Sequence, residues 1–100
     1  MNLFADIRIQ VIADLNAMVE AGQLPEGLNF DNVTVEPPRD ATHGDMATNA
    51  AMVLAKPAGL KPRDIADDLA ARLASDDRIT AAEVAGPGFL NLRLSASLWQ

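Results

Sequence analysis

The chain contains 100 residues, the length of one domain, and 49% of them are hydrophobic, which is enough to build a core. Its net charge of −6 argues against a general nucleic-acid binder, and against DNA as a partner, because such proteins neutralise phosphates with lysine and arginine. The chain has no cysteine and one histidine, which excludes disulfides, thiolate metal sites and multi-histidine metal sites, and we expect no metal site.

The sequence also gives expectations about membranes and location. No apolar run approaches the length of a membrane span. The first ten residues, MNLFADIRIQ, carry acidic charge and no signal-peptide core. We therefore expect no membrane partner and a cytoplasmic location.

A first helix is predicted over residues 2–21. Its apolar residues recur at spacings of three and four, which is the period of one helical face; they are Leu3, Ile7, Val11, Leu15 and Met18. Gly22 and Pro25 end this helix. After a loop, the segment NVTVEPP predicts a short strand that ends at Pro37-Pro38.

Two further helices are predicted in the middle of the chain. The second begins at Asp45, a favourable N-cap, and ends at Lys56 before Pro57. Its predicted buried stripe is Met46, Ala50, Val53 and Leu54. The third begins with Pro62 in its first turn and extends to about Ser75. Its apolar stripe is Ile65, Leu69 and Leu73.

Two strands close the chain, over residues 79–85 and 88–94, and Gly86-Pro87-Gly88 forms the turn between them. The predicted order is helix, strand, helix, helix, strand, strand. Few strands and segregated helices are typical of an α+β fold, with helices packed on one face of a small antiparallel sheet. The other face of that sheet is then free.

Three short motifs have the residue types of active sites but simpler explanations. His43 before Gly44-Asp45 fits an exposed helix entry, because no nucleophile accompanies it. The acidic pairs at 67–68 and 76–77 fit a solvated helix face and a turn, because adjacent helical side chains point apart. The Gly-Pro-Gly turn lacks the lysine and the following helix of a phosphate loop.

The last predicted strand has an unusual polar face. Phe89, Asn91 and Arg93 share one side by the period of two, and three leucines between them share the other. A phenyl ring can stack on an unpaired base, an amide can bond to a base edge, and a guanidinium can reach a phosphate. The alternative is that Phe89 packs into the core and Arg93 only aids solubility.

Four segments together resemble the N-terminal domain of arginyl-tRNA synthetases. They are VEPPRDATHGD, HGDMATNAAMVLAK, KPRDIADDLAARL and EVAGPGFLNLRLS, in that order. The resemblance covers about residues 33–95, and the combination of segments is what makes it specific. Two positions depart from the family pattern: Met46 stands where an aromatic residue is usual, and Lys61 stands where a better helix cap is expected.

The resemblance implies an accessory domain of an arginine–tRNA ligase that is not catalytic by itself. The parent enzyme would use ATP and Mg²⁺, and its catalytic and anticodon-binding domains would lie outside this single domain of residues 1–100. The domain would need no cofactor and would contact the D-loop of tRNA(Arg) through its closing strand. Carried over by motif, Phe89 would stack on a nucleotide, Asn91 would bond to it, and Gly86 would offer its backbone. Arg93 is added from strand geometry.

Two other function classes remain as alternatives. The domain could be a structural or protein-docking module that binds the remainder of the parent synthetase without direct RNA contact, with Trp99 as a candidate anchor. A small independent enzyme has little support, because no convergent acid, base, nucleophile or metal set can be named.

Overall fold

The computed structural model describes residues 3–38, 44–86 and 88–95. Within them lie three helices: α1 (Leu3–Glu20), α2 (Ala50–Ala58) and α3 (Pro62–Leu73). The strands are β1 (Val35–Glu36), β2 (Met46–Thr48), β3 (Ile79–Ala85) and β4 (Phe89–Leu94). The strands form a four-stranded antiparallel sheet in the order β1-β2-β4-β3. The predicted α+β class is therefore confirmed.

The helices cover one face of the sheet and share a single core with it. The buried side chains of α1 are Ile7, Val11, Leu15 and Met18, as the helical spacing predicted. The predicted stripe of α3 is buried as well. Strand β4 contributes its leucines to the same cluster, and α2 packs against this strand. The opposite side of the sheet carries no helix among the described residues.

The prediction of a helix beginning at Asp45 is wrong. Residues 46–48 form the strand β2, and α2 begins only at Ala50. Met46 is fully buried as predicted, but it lies on a strand of the sheet and not on a helix. Val53 is only partly buried. The apolar spacing suited a helix, whereas pairing with β1 and β4 on both sides stabilises a strand here.

Asp45 therefore does not cap a helix. Its backbone N–H donates to the Leu92 carbonyl at 2.8 Å, which extends the β2–β4 ladder by one residue. Its carboxylate Oδ2 accepts a hydrogen bond from the Leu94 N–H at 2.7 Å. The side chain thus replaces the backbone acceptor that β4 loses where β2 begins.

The remaining helix ends differ from the predictions by a few residues. Helix α2 includes Pro57 and ends at Ala58, because Gly59 has φ 68° and forms a left-handed cap there. Helix α3 ends at Leu73, shortly before the predicted Ser75. Lys61 precedes α3 without a side-chain capping bond, as its residue type suggested.

The described residues contain neither a membrane-spanning helix nor a cluster of metal-binding side chains. No helix in them is long and apolar enough to cross a membrane. No three acidic, histidine or cysteine side chains in the same ranges are grouped closely enough to hold a metal ion.

Candidate nucleic-acid interface

Strand β4 separates its side chains as its alternation predicted. Leu90 and Leu92 are fully buried, and Leu94 is nearly so. Phe89 is 41% exposed, Asn91 is half-buried and Arg93 is exposed on the other side. The alternative that Phe89 packs into the core is therefore wrong, and a large aromatic ring faces solvent at the start of the strand.

The register across the sheet places one row of side chains beside Asn91. Glu36 pairs with Ala47, Ala47 pairs with Asn91, and Asn91 pairs with Glu83. Residues that pair directly point to the same face, so these four share the open side with Phe89. Ala47 is the smallest of them and leaves a gap between Glu36 and Asn91.

An open groove of about 540 Å³ occupies this gap. Its lining comes from β1, β2, the start of β4 and the segments next to them. The lining residues are Thr34, Glu36, Pro37, Pro38, Ala47, Thr48, Asn49, Phe89 and Asn91. The groove therefore joins two of the predicted site residues, Phe89 and Asn91. It does not include Gly86, which lies in the turn after β3, or Arg93, which lies further along β4.

Only some of the polar side chains in the groove are available to a ligand. The Asn49 amide is engaged at both ends: its Oδ1 accepts from the Thr34 N–H at 2.8 Å and its Nδ2 donates to the Asn32 carbonyl at 3.2 Å. In contrast, the side chains of Asn91 and Glu36 form no hydrogen bond within residues 3–38, 44–86 and 88–95. These two side chains can therefore bond to a ligand without breaking a bond in the fold.

The wall of the groove formed by β1 is fixed to the helical layer. The Arg8 Nε of α1 donates to the Val33 carbonyl at 2.7 Å, and its Nη2 donates to the Phe30 carbonyl at 3.3 Å. Together with the Asn49 bonds, these contacts hold the segment that leads into β1. They fix the backbone up to Thr34, two residues before Glu36, although neither Arg8 nor Asn49 resembles a site residue in sequence.

The turn before β4 fixes the position of Phe89. Gly88 has φ 152°, and a Cβ on it would lie 2.6 Å from the Cβ of Pro62 and 3.3 Å from the sulfur of Met52. The backbone can approach the start of α3 this closely only without a side chain. Gly86 has φ 56° in open space, so its predicted backbone contact is sterically possible. Pro87 lies outside the described residues.

The charges on this face favour a base over a phosphate. Two carboxylates, Glu36 and Glu83, stand on the same row as Asn91. Arg93 is the one cation among the described open-face residues, and it already interacts within the protein. Carboxylates repel a phosphate but can accept hydrogen bonds from a base. The groove therefore suits the uncharged part of a nucleotide.

The sequence alone did not reveal Glu36 and Ala47 as groove residues. Both lie far from β4 along the chain, and β2 separates the β1 position from β4 in space. The short strand around Val35 was predicted, but the strand that pairs with it was not. Residues 46–48 were predicted as part of a helix, so the strand β2, which lies between Glu36 and Asn91, was missing from the prediction.

The other candidate residues do not converge on a catalytic site. His43 and Trp99 lie outside the described residues. Asp67 and Asp68 are exposed on α3, as a solvated helix face requires. Asp76 bonds to Arg78 in the turn before β3, with an Asp76 Oδ2 to Arg78 Nη2 distance of 2.8 Å.

Comparison with known proteins gives a consistent family. Residues 5–94 match the family described as the arginyl tRNA synthetase N terminal domain. The chain is 76% identical over 100 residues to an arginine–tRNA ligase of a Ruegeria species and 74% identical to one of Paracoccus denitrificans. A third, from Roseobacter denitrificans, is 69% identical.

These relatives are much longer than this chain. In each of the three, all of this chain is covered, but only 17% of the relative's own length. The family match covers the described core, the open sheet face and the groove together. On this basis, the chain belongs to the arginyl-tRNA synthetase N-terminal domain family.

Proposed function

We propose that these 100 residues form the tRNA-binding accessory domain of an arginine–tRNA ligase. The domain contacts the D-loop of tRNA(Arg) and positions the tRNA for arginylation by a catalytic domain outside this chain. The observation that carries the proposal is the exposed Phe89 ring beside an unbonded Asn91 amide in one open groove. Phe89 stacks on one nucleotide and Asn91 bonds to it, while Gly86 and Arg93 assist from outside the groove, in the turn before β4 and further along β4.

The energetics suit an anchor and not a complete binding site. Stacking one base contributes about 1–3 kcal/mol, and a neutral hydrogen bond adds about 0.5–1.5 kcal/mol. Such a contact becomes effective when a larger tRNA-binding surface is tethered to it. The acidic balance of the domain agrees with this division, because the main phosphate contacts then belong to other domains.

The remaining assignments follow from this role. The domain itself binds no cofactor, and ATP and Mg²⁺ bind to the catalytic part of the parent. The partners are tRNA(Arg) and the remainder of the synthetase, with no DNA or membrane. The location is the cytoplasm, where aminoacylation of tRNA supplies translation.

The test uses aminoacylation kinetics of the full-length parent. Phe89→Ala raises the KM for tRNA by roughly tenfold, because a stacked base loses its platform. Asn91→Ala raises it by roughly fivefold, through the loss of a hydrogen bond. The KM values for arginine and ATP stay near those of the unmodified enzyme.

Leu60→Ala is the matched control, because Leu60 is also 41% exposed and lies outside the groove lining. This variant leaves the KM for tRNA unchanged. If the KM for tRNA is unchanged in both groove variants as well, the proposal is wrong.

A docking module without RNA contact is the second candidate. It is favoured by the two carboxylates on the open face, which disfavour any polyanion. An NMR titration of this chain with a D-loop hairpin at low salt separates the two. Shifts at Phe89 and Asn91 support RNA binding, whereas an unchanged spectrum together with an unchanged tRNA KM in both groove variants supports docking.

A further inference from the structure

We propose that Glu36 selects the base held in the groove, in favour of bases with an exocyclic amino group and against uracil. The inference rests on the proposed function, since it names the chemistry that this RNA contact reads. Glu36 is a groove residue that the register brings to the row of Asn91.

The spacing of the row leaves room for a base. Glu36 and Asn91 lie on strands two apart, so their Cα atoms are separated by about 10 Å. Ala47 stands between them and forms a floor with only a methyl group. A base stacked on Phe89 can therefore reach both polar side chains with its edge.

The chemistry of the two polar side chains differs. The Asn91 amide both donates and accepts hydrogen bonds, so it tolerates any base edge. The ionised Glu36 carboxylate only accepts. Cytosine offers an amino group at C4, where uracil places a carbonyl oxygen. In the orientation that turns position 4 towards Glu36, that oxygen faces the carboxylate with no proton between them, and only the single N3–H of uracil remains as a donor, so uracil is disfavoured.

The experiment compares two single-stranded RNA hexamers, C6 and U6, with the 100-residue chain at low salt. These probes have the same size and charge, and their bases differ mainly in the edge that Glu36 reads. NMR titration of the Phe89 and Asn91 amide signals gives both dissociation constants. The unmodified chain binds C6 roughly tenfold more tightly than U6.

Glu36→Gln brings this ratio close to one, because the glutamine amide can donate to the uracil carbonyl. Glu83→Gln is the matched control: it removes the same charge from the other neighbour of Asn91, outside the groove lining. Both changes raise overall RNA affinity by reducing repulsion, but Glu83→Gln preserves the C6-to-U6 ratio. An equal ratio in all three proteins overturns the inference.

Ala47→Leu tests the floor of the groove. Leucine suits a partly exposed strand position and fills the space without removing a polar group, so the core amide spectrum is retained and binding of both hexamers is lost. If Ala47→Leu binds as well as the unmodified chain, the base does not lie in the groove and the inference is wrong.

The outcomes separate this inference from the proposed function. If Phe89→Ala weakens both hexamers while Glu36→Gln leaves their ratio unchanged, the RNA contact stands and base selection by Glu36 is wrong. If neither hexamer shifts the groove signals, base selection is overturned. The proposed function is then judged by the tRNA KM of the full-length Phe89 and Asn91 variants.

Discussion

At the scale of single residues, two glycines of one turn have different roles. Gly88 approaches Pro62 so closely that an added Cβ would lie 2.6 Å from the Pro62 Cβ, whereas Gly86 has nothing within 4 Å. Both have positive φ, at 152° and 56° respectively. At Gly86, therefore, only the backbone conformation disfavours a side chain. At Gly88, both the backbone conformation and the contact with Pro62 disfavour one.

Gly88→Ala is expected to destabilise the domain more than Gly86→Ala. The first change combines an unfavourable φ with overpacking and costs about 2–4 kcal/mol. The second costs about 1–2 kcal/mol, from backbone strain alone. Urea denaturation of the two variants measures both costs. Equal costs would show that the contact with α3 does not constrain the turn.

A second residue-scale prediction concerns pH. The hydrogen bond from the Arg78 side chain holds the pKa of the Asp76 carboxyl below its usual value of 3.8. Because the pKa in the folded state is lowered, the stabilisation is present above the unfolded pKa and is lost as pH falls through the folded pKa. Asp76→Asn therefore lowers the free energy of unfolding at pH 7, by about 1 kcal/mol after screening by solvent.

The difference in the free energy of unfolding between Asp76→Asn and the unmodified chain becomes smaller as pH falls below 3.8. Burial raises the pKa of Asp14, and the Asp76 charge raises it further, so Asp76→Asn also removes a small part of that upward shift and slightly reduces the difference in the free energy of unfolding at pH 7. Urea denaturation at pH 7 and at pH 3 provides the two differences. A constant difference across that range would contradict a role for the charged carboxylate.

At the scale of elements, β2 explains most of what distinguishes the fold from its prediction. This three-residue strand pairs with β1 on one side and β4 on the other. Its end is completed by the Asp45 carboxylate, which bonds to the Leu94 N–H at 2.7 Å. The strand thus depends on contacts distant in sequence, and one side chain supplies a bond that the short backbone does not.

Asp45→Ala is expected to destabilise the domain by about 1–2 kcal/mol, because the Leu94 N–H loses its acceptor. Asp45→Asn retains an acceptor oxygen and costs less. Hydrogen exchange of the Leu94 amide reports the same bond directly, with faster exchange in the alanine variant. Equal exchange in all three proteins would contradict the contact.

At the scale of the whole molecule, the distribution of charge limits which kinds of contact with RNA the open face can make. The net charge is −6, and the open face carries two carboxylates and Arg93 among its described residues. Phosphate neutralisation therefore contributes little here. In the proposed role, affinity for RNA comes from stacking and hydrogen bonds in the groove.

The affinity of this chain for C6 is accordingly expected to depend weakly on salt. At most one phosphate is neutralised, so the slope of log K against log salt concentration is about −0.7 or closer to zero. Fluorescence anisotropy of labelled C6 from low to physiological salt measures this slope. A slope several times steeper would point to a phosphate-binding surface elsewhere on the molecule.

The helical stripes of α1 and α3, the β3–β4 hairpin and the open face with Phe89, Asn91 and Arg93 could all be predicted from the sequence. These features follow from local periodicity and turn residues, which act between neighbours along the chain. In contrast, the strand at residues 46–48 and the placement of Glu36 and Ala47 in the row of Asn91 depend on contacts in the folded chain. The physical reason is that a three-residue strand is specified by its pairing partners, and these partners lie far away in sequence.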